Sequence, residues 1–173
     1  MKIKTKYKKI ILYSLFALFI YVLYSSPMNN LKIFGVGADL LLPLVIIIAM
    51  FEGEKAGAIL GLVIGLFSDT NGRIGYNAVF YMITGYIIGV LLIAYLRKNF
   101  VTGMMLSLVL VMINNLFAYV IFFLVLEEGT VPAVFLLKMI FLKGLLSSLF
   151  AGIIYLLYYI YTKWWFRSVF DAE

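Results

Sequence analysis

Six long apolar runs follow one another along the chain, at about 10–24, 38–51, 55–68, 76–95, 101–126 and 132–161. Only short polar stretches separate them. A single globule of 173 residues has too little interior to hide all six. The residues are 65% hydrophobic and 13% charged, against roughly 45–50% apolar and about 25% charged in a soluble domain. A membrane-spanning helix needs about 20 mostly apolar residues. The expected class is therefore all-α and polytopic, one integral membrane domain over 1–173 with six transmembrane helices and a basic tail at 1–9. The second and third runs are short, which leaves two readings open: a re-entrant hairpin, or two thin spans that borrow flanking residues. Polar groups bound this pair at both levels, with Asp39 and Asp69 at one and the Glu52–Lys55 turn at the other. That favours two spans.

Charge sets the expected orientation, because short loops rich in Lys and Arg stay cytoplasmic. With the N-terminus inside, Lys2, Lys4, Lys6, Lys8, Lys9, Lys55, Arg97, Lys98, Lys163 and Arg167 all fall on the cytoplasmic side. Only Lys32 and Arg73 fall outside, so both termini are expected in the cytoplasm. The first run has a basic leader but no small-residue cleavage site after it, and reads as an uncleaved, targeting first helix. Its lysines are suited to anionic lipid at the inner surface. Tyr155, Tyr158, Tyr159, Tyr161, Trp164 and Trp165 precede Arg167 and read as an aromatic belt anchoring the last helix at the interface.

Cysteine and histidine are absent. This excludes disulfides, zinc or haem held by those residues, and catalytic triads that need them. No cofactor or nucleic-acid partner is indicated. Every Asp and Glu lies at a span boundary or in a tail, so a proton relay or intramembrane acid catalyst is not expected. Asp39 is placed to cap the second segment, and Asp69 reads as part of a turn within reach of Arg73.

Two sets of residues within the spans call for a reason. Glycines at 53, 57, 61 and 65 recur every four residues, ending at Asp69. Each costs about 0.8–1.0 kcal/mol of helix propensity relative to Ala. Four-residue steps keep them near one helix face, drifting by about 40° per step, and small residues there allow two backbones to approach closely. Gly85 and Gly89 repeat the spacing and offer a facing surface within the chain; an interface with another chain is the other reading. The second set is polar: Asn114 and Asn115 in the fifth segment, Lys138 and Lys143 in the sixth. Lys138 is expected at the depth of the asparagines and suits snorkelling, with Lys143 deeper. Together they read either as interhelical hydrogen bonding or as a polar groove for a partner's acidic or hydroxyl group.

The stretch over 38–92 resembles the MreD family of bacterial rod shape-determining membrane proteins. The residues that carry the resemblance are Asp39, Gly57, Gly61, Gly65, Leu66, Asp69, Gly75, Asn77, Gly85, Tyr86 and Gly89. The resemblance implies a non-catalytic scaffold of the cell-elongation machinery in the bacterial cytoplasmic membrane. Its implied partner is an MreC-like bitopic protein, in a complex with MreB filaments, a RodA-type glycosyltransferase and a penicillin-binding transpeptidase. It also implies a fold similar to the six-helix substrate-binding subunits of energy-coupling-factor vitamin transporters. Such a subunit is itself the alternative reading. It would need a polar pocket, from Asp39, Asp69, Asn77 and Lys138, and its first segment would carry small docking residues, which are scarce here. An intramembrane enzyme is a third reading, disfavoured by the missing side chains.

Overall fold

A computed structural model describes residues 37–69, 75–94, 98–121 and 133–170. The basic tail, the first segment, Arg73 and the Glu127–Glu128 loop lie outside the described residues. Those described form five α-helices and no strand: α1 (Leu41–Glu52), α2 (Glu54–Asp69), α3 (Tyr76–Ala94), α4 (Phe100–Tyr119) and α5 (Ala133–Phe170). They correspond to segments two to six.

The α1 helix is the centre. Its sequence LLPLVIIIAMFE has no polar face, and a helix apolar all round is stable only when enclosed. Every residue from Leu41 to Met50 is buried, and α1 packs against each of the other four helices. At 12 residues it is only about 18 Å long, well short of a ~30 Å hydrocarbon core. The other helices form two hairpins, α2–α3 and α4–α5, which meet mainly through α1. One end of the bundle carries Asp39 and the other carries Gly53. Gly53 joins α1 to α2 alone, at φ 90°, a left-handed conformation that only glycine adopts without strain. Its own Cβ position is open to space, so Gly53 makes the turn, while its carbonyl carbon, 2.7 Å from a Cβ on Gly89, still borders the close contact.

The α2–α3 pair is the most extensive contact in the fold. It is antiparallel and made backbone on backbone. A Cβ on Gly57 would lie 2.6 Å from the Gly85 carbonyl oxygen, one on Gly61 2.7 Å from the Tyr81 carbonyl carbon, and one on Gly65 2.7 Å from the Ala78 nitrogen. Gly85 and Gly89 meet the backbones of Gly57 and Glu54 in return. The α4–α5 pair is different. There Gly144 and Gly152 receive side chains, with Met112 Cγ 2.8 Å and Phe100 Cζ 2.9 Å from their Cβ positions.

Two helix ends have local detail. The α4 helix is regular only to Tyr119, and Val120–Ile121 widen into a π turn before the chain leaves the described residues. The α5 helix runs past 161 to Phe170. Nothing in TKWWFRSVF breaks a helix, and Thr162 bonds its hydroxyl back to the Tyr159 carbonyl at 3.0 Å. At 38 residues α5 is about 57 Å long.

Two helical stretches, Phe100–Tyr119 and Leu136–Ile160, are long and apolar enough to cross a membrane; Leu41–Glu52 and Tyr76–Leu92 are apolar but shorter. The bundle's outer surface is apolar as well. Ile59, Phe67, Val79, Ile83, Met105 and Leu137 are among many large side chains left exposed. A soluble monomer rarely shows apolar patches above a few hundred Å².

The backbone contact at Gly61 yields a prediction. Gly61→Ala puts a methyl group into the Tyr81 peptide and is expected to destabilise the protein by about 1–3 kcal/mol, as overpacking does. Gly61→Leu is expected to do more. Thermal unfolding of the purified protein in detergent measures both. An unchanged melting temperature for Gly61→Leu would contradict the contact.

Candidate functional site

The polar side chains of the interior gather at the Asp39 end. Asp39 caps α1: its Oδ1 accepts from the Leu41 and Leu42 amides at 3.1 and 3.4 Å. Pro43 follows, with no amide to satisfy, and Leu44 opens the regular ladder by donating to the Leu40 carbonyl. Asp39 also ties the hairpins together. Its amide donates to Ser147 Oγ of α5 at 2.8 Å, and Tyr81 of α3 donates its hydroxyl to Oδ2 at 3.4 Å.

Asp69 ends α2 but serves α3. Its carboxylate accepts from the Asn77 amide at 3.1 Å and the Ala78 amide at 2.9 Å. These first-turn amides of α3 have no partner within their own helix. The carboxylate also sits at the positive end of the α3 dipole. Gly75, at φ 77°, makes the turn that brings the chain into this position. Asp69 and Asn77 are both buried. The expected partner Arg73 lies outside the described residues, and the carboxylate is occupied by backbone.

On the other hairpin, Lys143 Nζ donates to Asn115 Oδ1 at 3.0 Å, and Asn115 Nδ2 donates to the Val111 carbonyl at 2.7 Å. Tyr76 donates its hydroxyl to the Asn114 carbonyl at 2.9 Å, bridging α3 to α4. Asn114 is itself buried, and among the described residues its Oδ1 has no hydrogen-bond partner; nor has Ser107 Oγ, two turns away on the same face. The register corrects the expected depths. It is Lys143 that stands level with Asn115, whereas Lys138 lies farther toward the helix start and is exposed. The seating of Gly144 against Met112 and Leu108 sets this register.

The aromatic run near the Gly53 end needs a second correction. Tyr155 and Tyr158 are buried, not displayed at a surface. Phe51 packs between them, with ring centroids at 5.3 and 4.8 Å. Tyr158 donates to Glu52 Oε1 at 3.2 Å and Tyr155 to the Lys98 carbonyl at 3.1 Å. Helical spacing carries these two rings onto the inner face. Tyr159 is exposed, and the side chains of Tyr161, Trp164 and Trp165 lie outside the described set.

Among the residues that resemble a family motif, Asp39, Gly57, Gly61, Gly65, Asp69, Gly75, Asn77, Gly85 and Gly89 all have structural roles within α1–α3. Leu66 and Tyr86 face outward. Tyr76, Tyr81, Ser107 and Ser147 are site residues that sequence reading passed over. Their signal was a hydroxyl on an otherwise apolar helix. Among the described residues, no group of acids could hold a metal ion. Comparison with protein-family models, curated proteins and solved structures finds no match.

The cap at Asp69 is testable. Asp69→Ala frees the Asn77 and Ala78 amides and is expected to cost about 1–2 kcal/mol, with Asp69→Asn costing less. Melting in detergent measures the loss. A variant as stable as the parent would show that the carboxylate does not cap α3.

Proposed function

We propose that this chain is a multi-pass, non-catalytic scaffold in the bacterial cytoplasmic membrane that serves the cell-elongation machinery and maintains rod shape. The observation that carries the reading is the ordered set of residues resembling the MreD family. Those residues concentrate in one compact unit, α1–α3, where most of them build caps, turns and backbone contacts. The apolar outer surface and the two span-length helices support a membrane location. In this reading six spans cross the membrane, with both termini in the cytoplasm and the Asp39 end outward.

The work of such a molecule is to present a fixed surface to other membrane proteins. Its partner is an MreC-like bitopic protein, whose single helix docks on the bundle. The partner's outer domain is thereby held near a RodA-type glycosyltransferase and its penicillin-binding transpeptidase, with MreB filaments on the cytoplasmic side. Lysines of the N-terminal tail hold anionic lipid.

Cross-linking in native membranes, followed by affinity capture and mass spectrometry, tests this. The expected product is a bitopic MreC-like protein, with or without the two wall-synthesis enzymes. Capture of a transmembrane coupling protein with paired ATPases would overturn the scaffold reading. It would make the chain the substrate-binding subunit of a vitamin transporter.

A further inference from the structure

Lys143 is a cation inside an apolar stretch. It stands about 10 Å along α5 from Leu136, where that stretch begins. An ammonium has three donors, and among the described residues Lys143 finds one acceptor, the neutral amide oxygen of Asn115. No carboxylate among the described residues pairs with it. Asp39 is the closest along α5, since its amide reaches Ser147 one turn away. Both of its oxygens are taken, by the Leu41 and Leu42 amides and by Tyr81. Lys143 is half-buried rather than exposed like Lys138, so it does not simply extend toward the headgroups.

The Tyr76 hydroxyl of α3 and the Lys143 ammonium of α5 both reach the Asn114–Asn115 dipeptide of α4, which fixes where the ammonium stands. An uncompensated charge within the membrane is costly. A carboxylate would accept from Lys143 and remove that cost.

We infer that Lys143, held in place by Asn115, is a receptor for an acidic side chain on a partner's membrane-spanning helix. This rests on the scaffold reading and names where the partner is held. The depth favours a side chain on a helix, because a lipid phosphate stays at the interface. Charge complementarity fixes the partner's chemistry: one Asp or Glu within an otherwise apolar span, in the half of the membrane that holds the Asp39 end.

A membrane-permeant carbodiimide joins an ammonium to a carboxylate only when the two are in contact, so it reads this pairing directly. In native membranes the expected product links Lys143 to an Asp or Glu within an apolar segment of another protein. Lys143→Gln keeps a donor for Asn115 but drops the charge. It is expected to fold, to melt near the parent, and to lower capture of that protein by about tenfold or more. Lys143→Arg is expected to retain capture while yielding no carbodiimide product. A product only with Glu127 or Glu128 of the same chain would overturn the inference, as would no product at all. So would full capture of the partner by Lys143→Gln. That last result leaves the scaffold reading standing, whereas capture of no elongation protein even by the parent chain counts against the scaffold itself.

Discussion

The rest of the structure depends on the contact between the backbones of α2 and α3. Gly57, Gly61 and Gly65 lie against Gly85, Tyr81 and Ala78 with no side chain between them. In an apolar surround there is no hydrophobic drive between helices, so association depends on how closely two surfaces fit. Removing the side chains brings peptide groups together and makes the hairpin stiff. The helix-propensity cost of the glycines is offset in this contact, and it recurs at every turn along α2 because the spacing is four. The α4–α5 hairpin, with Met and Phe side chains seated on its glycines, is adjustable where α2–α3 is not.

Around this hairpin the buried polar groups are arranged to leave few helix ends open. Two aspartates do most of it. Asp39 caps α1 and reaches both hairpins, and Asp69 ends one helix while capping the next. Both carboxylates therefore serve the fold. Among the described residues, the unmet polar capacity lies on the adjustable hairpin, at Asn114, Ser107 and Lys143. A stiff half and a half with unsatisfied groups suit a protein that holds its own shape and takes hold of another.

Much of the fold was legible in the residues. The last five apolar runs located the described helices, and the glycine period located a close contact, because both follow from the 3.6-residue turn. The Asp39 cap was legible because the acid directly precedes an apolar run. What failed to show depends on three-dimensional register. The role of Asp69 in capping α3 did not show, since nothing local says that its carboxylate faces the next helix's amides. Lys138 looked level with the asparagines, but the fit of Gly144 on Met112 brings Lys143 there instead. Tyr155 and Tyr158 looked like interface anchors because composition does not say which side of a helix faces in. Gly53 continued the period arithmetically, yet its backbone makes the turn between α1 and α2. The hydroxyls of Tyr76, Tyr81 and Ser147 are individually ordinary and matter only where the hairpins meet.

The central proposal is that a chain built in this way serves wall elongation as a scaffold. Depletion in the native bacterium, with cell shape followed by microscopy and wall-synthesis enzymes quantified in the same membranes, tests it most directly. The account predicts that cells widen and lose their rod shape while those enzymes stay at normal abundance. Cells that keep their shape but lose uptake of a small molecule would contradict it.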